Sequence, residues 1–109
     1  MTTLLLAMPK SKNSATTLHL SFSSIFTPPN RGPDYALTAS DRSRIVSGMR
    51  VIVFDRPTQQ AEGVVDKFVL SGNATKNGRP RYHILIHNLN PTKYNNPPAV
   101  KRCNGVGFM

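Results

Sequence analysis

Three closely spaced segments rich in β-branched and aromatic residues constrain the fold more than any other feature of the sequence. They read MRVIVFD from Met49, QQAEGVVDKFVL from Gln59 and RYHILIHNL from Arg81. Such runs, bounded by turn residues, are typical of strands. The stretches DRPTQ and SGNATKNGRP separate them, and the Asn-Gly pair in the second can adopt positive φ at a hairpin tip. Residues 49–90 are therefore predicted to form a three-stranded antiparallel meander.

The N-terminal part of the chain is predicted to add a β-hairpin over residues 1–26. TLLLAM and TTLHLSF flank the polar stretch PKSKNSA. TTLHLSF alternates apolar and polar side chains, which is the pattern of a half-buried strand. The next stretch, TPPNRGPDY, contains three prolines, which cannot continue a helix or a central strand. Residues 27–35 are therefore predicted to be a connection.

A short helix or loop is predicted over residues 36–48. Thr38 can cap a helix with Asp41 three positions later, and Gly48 can stop it. Within the second strand of the meander, Gly63 marks a position where a bulge or a sharp coil would be tolerated.

The last segment, residues 91–109, is rich in Pro, Asn and Gly and is predicted to be an irregular basic tail. Three apolar side chains in it could still dock on the rest of the protein: Val100, Val106 and Phe108. At 109 residues the chain is predicted to be one domain. Its fold class is all-β, or mainly β with one short helix.

A family resemblance follows from the meander. SGMRVIVFD, then AEGVV, then RYHILIHNL resemble the order found in small SH3-like barrels of the KOW, Tudor and chromo-barrel kind. In these, a glycine enters the first strand, Gly-Val-Val opens a coiled second strand, and the third carries an aromatic residue. The resemblance covers residues 47–90. It implies a small, partly open barrel, to which the N-terminal hairpin would be added.

The charge of the chain favours a polyanionic partner. Fourteen Lys and Arg residues against five Asp and Glu give a formal net charge of +9. Residues 67–109 contain no acidic residue at all. Neutralising phosphates with Lys or Arg releases condensed counterions, so a surface of this charge suits nucleic acid. Solubilising surface charge is the alternative that composition leaves open.

The third strand of the meander is predicted to present a basic face to solvent. Its alternation places Tyr82, Ile84 and Ile86 on one face, which is expected to be core. The opposite face carries Arg81, His83, Leu85 and His87. Arg and His side chains can contact phosphates and stack on bases. An ordinary solvated outer face is the competing interpretation.

The candidate nucleic-acid contacts come from this face, the adjoining loops and the tail. Tyr94, between Lys93 and two asparagines, is the best candidate for stacking on a base. The full candidate set is Lys76, Arg79, Arg81, His83, Lys93, Tyr94, Lys101 and Arg102.

Neither a metal site, a cofactor site nor a catalytic site is predicted. In a strand, His83 and His87 would lie about 13 Å apart, too far for one metal ion. Cys103 is the only cysteine, with no base or orienting group near it in sequence. No nucleophile elbow and no phosphate-binding loop is present, so an enzyme is not expected.

Two functions from different classes remain open. The first is a small basic binding module that contacts nucleic acid or a ribonucleoprotein mainly through phosphates. The second is a protein-interaction adaptor or inhibitor, of the kind mobile elements encode, that docks on a larger protein or nucleoprotein machine. A peptide-tail binder of the Tudor kind is disfavoured by the absence of tryptophan and by the positive charge.

The location is predicted to be cytoplasmic. TLLLAM is too short to span a bilayer and has no basic residue before it, so neither a signal peptide nor a membrane partner is expected. The N-terminal composition leaves organellar import open, and the oligomeric state is open as well.

Overall fold

The computed structural model describes residues 2–8, 22–101 and 104–109, and over these ranges the chain forms one six-stranded sheet. The strands are β1 (Leu4–Ala7), β2 (Arg31–Tyr35), β3 (Arg50–Asp55), β4 (Gln59–Ala74), β5 (Pro80–Thr92) and β6 (Val106–Phe108). Their order in the sheet is β2-β5-β4-β3-β1-β6, and the sheet is not closed. A 3₁₀ helix, Phe22–Phe26, and one α-helix, α1 (Ala39–Arg44), complete the described elements. The predicted fold class, mainly β with one short helix, is confirmed.

The predicted meander is confirmed as β3, β4 and β5, which pair antiparallel in sequence order. The β4–β5 turn is closed by hydrogen bonds between Thr75 and Gly78 and between Thr75 and Arg79. Gly78 supplies the positive φ, 76°, that this turn requires. The bulge expected at Gly63 is present, since the β4–β5 register shifts between Glu62 and Val64.

The core lies mainly on one face of the sheet. This face packs apolar side chains of β1, β3, β4 and β5 against the 3₁₀ helix and the segments around α1. A smaller cluster of Leu5, Ile52 and Phe54 covers the other face of β1 and β3, where Val100 packs against it. Strand β1 is therefore buried on both faces, which explains its unbroken apolar sequence.

The short helix begins as the sequence predicts. The Thr38 side chain accepts a hydrogen bond from the backbone N–H of Asp41 at 3.0 Å, and the Asp41 carboxylate accepts from the backbone N–H of Thr38 at 3.1 Å. This reciprocal pair is a capping box, which satisfies backbone N–H groups that the first helical turn leaves without partners.

Two segments predicted to be irregular contain strands. The predicted connection includes β2, which pairs with β5 at the edge of the sheet. An edge strand tolerates Pro33 because one side of it needs no hydrogen-bond donors. The predicted tail includes β6, which pairs with β1, and its Val106 is fully buried. Both predictions were wrong because pairing partners distant in sequence determine these short strands.

The N-terminal hairpin is only partly described. Its first strand is present as β1, which pairs in parallel with β3 on one side and antiparallel with β6 on the other. Most of the predicted second strand lies outside the described residues. Phe22, which was expected to end that strand, belongs instead to the 3₁₀ helix, where its buried ring contacts Phe26 edge to face. In the ranges that the structure describes, no helix is long and apolar enough to cross a membrane.

Candidate nucleic-acid interface

The predicted contact residues lie in three separate regions of the molecule. Four are on the β4–β5 hairpin, two follow the far end of β5, and Lys101 lies near α1; Arg102 is outside the described residues. Strand β5 has 13 residues, so its two ends are separated by on the order of 30 Å. The eight residues therefore do not form one compact site.

The end of the β4–β5 hairpin projects from the sheet as a two-stranded arm, residues 70–82. Strand β3 pairs with β4 only as far as Val64, and β2 pairs with β5 only as far as Tyr82. Beyond the Leu70–Tyr82 pair, the two backbones pair only with each other. No residue of the arm is buried. Solvent therefore reaches both faces of the arm.

The tip of the arm carries two exposed cations, Lys76 and Arg79, and neither forms an ion pair with any described residue. At the base, Arg81 is half-buried and donates from Nη1 to the backbone carbonyl of Asp34 at 3.2 Å. The Arg81 side chain was predicted to point into solvent. Instead, part of its guanidinium is bound to the backbone of β2 through this hydrogen bond.

Asp34 joins β2 to the base of the arm, a role that sequence reasoning missed. It lies in a bulge with φ of 63° and is buried. Its carboxylate accepts hydrogen bonds from the hydroxyl of Ser71 at 2.7 Å and from the side-chain amide of Asn73 at 3.2 Å. Its backbone N–H donates to Nδ1 of His83 at 3.1 Å. Asp is one of the few residues other than Gly that readily adopts positive φ, which was the only sequence signal available.

His83 acts as a neutral hydrogen-bond acceptor at this junction. Acceptance of the Asp34 N–H requires an unprotonated Nδ1. Burial lowers the pKa of His83 below its ordinary value, and the positive charge of Arg31 lowers it further, whereas the Asp34 charge acts in the opposite direction. The expectation that His83 contributes positive charge to the face is therefore corrected at neutral pH.

Mild acidification is expected to destabilise this junction. Since the pKa of His83 lies below its ordinary value of 6.5, the unfolded chain takes up a proton at a higher pH than the folded protein does. The stabilising contribution of neutral His83 is complete above pH 6.5 and is lost as the pH falls below that value. Urea denaturation between about pH 7.5 and pH 5.5 checks this.

His83→Asn is the matched control for this pH dependence. The Asn side chain can place an acceptor oxygen near the position of Nδ1, but it does not titrate. Stability of this variant is expected to change less with pH than stability of the wild type. An equal loss in both proteins would assign the pH dependence to other groups.

Two further cations of this surface, Arg31 and Lys67, were not predicted, because their proximity depends on pairing across three strands. Directly paired residues of a ladder project on the same face. Arg31 pairs with Leu85 of β5, which pairs with Lys67 of β4, so the two cations lie on one face. Exposed Lys67 could have been found from the alternation in β4. Arg31 gave no signal, because β2 was not predicted.

Lys93 and Tyr94 lie beyond the opposite end of β5. Lys93 is exposed, but Tyr94 is half-buried, and its hydroxyl oxygen accepts a hydrogen bond from Arg56 at 3.2 Å. The Arg56 guanidinium also donates to the backbone carbonyls of Pro97 and Pro98. Tyr94 is thus part of a hydrogen-bond network that holds the segment after β5 in place, rather than the freely exposed stacking residue that was expected.

Lys101 is exposed, but its ammonium pairs with a buried carboxylate. Its Nζ lies 2.7 Å from Oδ1 of Asp41, whose side chain is 3% exposed. Burial alone would raise the pKa of Asp41, but the hydrogen bonds from Lys101, Thr38 and Asn104 and the Lys101 charge together lower it. The Lys101 charge therefore helps to hold the C-terminal segment onto α1, and the role of Lys101 as a phosphate contact stays a prediction.

The remaining residues to consider are possible metal ligands and possible members of an apolar docking surface. In the part of the chain that the structure describes, no three His, Cys, Asp or Glu residues cluster so as to hold a metal ion; Cys103 lies outside it. His87 is exposed and lies 3.4 Å from Asp66. Leu89 is buried and Val100 is half-buried, so these two side chains do not form an exposed apolar patch of the kind that a protein-docking surface would show.

Comparisons with protein-family models, with curated proteins and with solved structures found no match.

Proposed function

We propose that this protein is a non-enzymatic module that binds nucleic acid through phosphate contacts. The proposed surface follows the β4–β5 hairpin and the adjoining edge strand. We call it the basic surface, and it consists of Arg31, Lys67, Lys76, Arg79 and Arg81.

The observation that carries the proposal is that the charge of this surface is uncompensated. Among the described residues, no carboxylate lies within ion-pair distance of any of its five cations. Asp34, whose backbone carbonyl accepts from Arg81, directs its carboxylate to Ser71 and Asn73. Elsewhere in the described ranges, Arg50 pairs with Glu62 and Lys101 pairs with Asp41. Lys67, Lys76 and Arg79 are exposed, whereas Arg31 and Arg81 are half-buried and each donate one hydrogen bond to a backbone carbonyl. Cations without a carboxylate partner are available to phosphates, and phosphate contacts dominate non-specific affinity.

Two finer assignments accompany the proposal. Residues 47–90 are proposed to be the barrel part of an SH3-like fold, which the order of β3, β4 and β5 and the bulge at Gly63 support. A cytoplasmic location is also proposed, because a lone cysteine, Cys103, is compatible with a reducing compartment.

Binding to labelled nucleic acid is expected to weaken steeply with salt. In fluorescence anisotropy titrations, the logarithm of the affinity should fall linearly with the logarithm of the salt concentration. The double variant Lys76→Ala/Arg79→Ala should reduce that slope by about 2, because each lost phosphate contact removes about one released counterion. Both side chains are exposed and unpaired, so the fold should be unchanged.

The charge-retaining variant Lys76→Arg/Arg79→Lys is the control, and it should keep the slope of the wild type. Absence of binding to both DNA and RNA at low salt and micromolar protein would reject the proposed function. Recovery of one stoichiometric protein partner from the native host, unchanged by nuclease, would favour the adaptor hypothesis instead.

A further inference from the structure

We infer that the arm, residues 70–82, enters the major groove of duplex DNA. This inference rests on the proposed function and names the nucleic acid that the basic surface fits. It is carried by the shape of the arm, by the chemistry of its tip and by the anchoring of its base.

The arm has the dimensions of a groove-reading element. Neighbouring strands lie about 4.8 Å apart, and the major groove of B-form DNA, about 12 Å wide, admits a two-stranded ribbon with its side chains. Along β5, from Tyr82 to Arg79, the arm extends about 10 Å at the usual rise per residue, which is comparable to a groove depth of about 8.5 Å. Beyond the Leu70–Tyr82 pair no other described strand pairs with either backbone. Asp34 contacts the base of the arm at Ser71 and Asn73, so DNA can approach both sides of the tip.

The tip presents side chains that suit both phosphates and base edges. Lys76, Asn77 and Arg79 are all exposed. Lys serves as a point charge for phosphate, whereas Arg pairs with guanine and Asn with adenine through two hydrogen bonds in the major groove. Gly72 and Gly78 lie in open space with no atom near the position of a Cβ. The ribbon is therefore narrow where it would meet the groove walls.

The base of the arm is fixed, which lowers the entropy lost on insertion. The Asp34 carboxylate holds Ser71 and Asn73 on β4. On the other side of the ribbon, the Tyr82 ring meets Phe68 edge to face at 5.5 Å, and the Arg42 guanidinium lies 5.6 Å from the Tyr82 ring centre. Contacts on both faces thus set the direction in which the arm projects.

Other nucleic acids fit this element less well. The major groove of A-form RNA is deep and too narrow for side chains to read. Single strands are bound by stacking on exposed aromatic rings, and no aromatic residue in the described ranges is fully exposed. Duplex DNA is therefore the partner that the observations favour.

Competition experiments at one salt concentration test the inference. The unlabelled competitors are a DNA duplex, an RNA duplex of the same sequence, the single DNA strand, and a DNA duplex whose pyrimidines carry a bulky uncharged group on C5. The unmodified DNA duplex should compete roughly tenfold better than each of the others, because only it offers an open major groove. The variant Asn77→Ala/Arg79→Lys keeps the charge of the tip and should lose much of this preference.

Lys93→Ala is the matched control variant, since it removes one exposed charge at the opposite end of β5. It should leave the preference unchanged. Equal competition by the RNA duplex or by the C5-modified duplex would overturn groove insertion while leaving phosphate binding intact. An unchanged preference in Asn77→Ala/Arg79→Lys would overturn it as well. Absence of binding to every probe would reject the proposed function itself, and the inference with it.

Discussion

Replacing Asp41 with alanine is expected to lower the free energy of unfolding by about 3 kcal/mol, as removal of one member of a buried charged network does. A domain of this size has a total stability on the order of 10 kcal/mol, so the loss would be a large fraction of it. Urea denaturation followed by circular dichroism measures the change.

The expected loss has two physical sources. The capping box loses the hydrogen bond from the backbone N–H of Thr38 to the Asp41 carboxylate, and a backbone N–H that no side chain satisfies at a helix start costs about 1 kcal/mol. In addition, the Lys101 ammonium and the Asn104 amide lose the carboxylate that accepts their hydrogen bonds, at 2.7 and 2.9 Å. Asn104 would keep its hydrogen bond to the carbonyl of Ala36 but lose the one to Asp41, so the segment before β6 would lose part of its attachment to α1.

Asp66→Ala is the control, because it makes the same change in an exposed pair. His87 and Asp66 have side chains that are 65% and 37% exposed, and exposed pairs contribute about 0 to 1 kcal/mol. The double variant Asp41→Ala/Lys101→Ala should cost less than the sum of the two single variants, since both remove the same interaction. An Asp41→Ala loss no greater than that of Asp66→Ala would show that the buried network is not stabilising.

The pH dependence of the unfolding free energy is a second test of the contribution of Asp41. The pKa of Asp41 is held below its ordinary value of 3.8. Its contribution to stability is therefore present above pH 3.8 and is lost as the pH falls below that value. The wild type should lose more stability than Asp41→Ala over this acidic range.

The local elements of this fold were predictable because their signals are contained in short stretches. The meander follows from alternation and turn residues that lie within residues 49–90. The start of α1 follows from Thr38 and Asp41, whose reciprocal hydrogen bonds span three positions. In both cases the groups that stabilise the element are close in sequence, so local patterns determine the outcome.

The edge strands were not predictable in this way. Strand β2 contains Gly, Pro and Asp, which are depleted in strands. Its bulge is held by two hydrogen bonds of Asp34, which accepts from Ser71 of β4 and donates to His83 of β5. Strand β6 has three residues, and it is defined by pairing with β1, about a hundred positions away in sequence. Tertiary contacts decide such segments, and a single sequence does not display them.

The sequence predicted that the candidate site is basic, but it identified only some of the residues that form it. Counting charges identified a basic segment, but it could not separate Lys101, which pairs with buried Asp41, from Lys76, which forms no ion pair with the described residues. Whether a cation is available depends on which carboxylate the fold brings to it. This is why Arg31 and Lys67 enter the proposed surface and Lys101 leaves it.

Gly63→Ala is expected to lower the free energy of unfolding by about 2 to 4 kcal/mol, the cost of forcing extra volume into a packed interior. A Cβ at this position would lie 2.5 Å from Cγ2 of Ile86, 2.8 Å from the carbonyl oxygen of His87 and 3.2 Å from Cα of Leu89. Two of these atoms belong to the backbone of β5, so the clash cannot be relieved by a rotamer change. Relief requires β5 to move away from β4 at the bulge.

Gly107→Ala is the control, because it makes the same substitution in a short strand at the edge of the sheet. The three atoms nearest to its Cβ would all belong to Val100, with Cγ1 the nearest at 3.0 Å, and Val100 lies outside any strand. A small shift of that segment relieves the contact, so the expected cost is below about 1 kcal/mol. The two urea midpoints should differ accordingly at an unchanged denaturant slope. Equal losses of unfolding free energy in the two variants would mean that the backbone of β5 shifts as easily as an irregular segment. In that case the close contact between Gly63 and β5 would not fix the register of the meander.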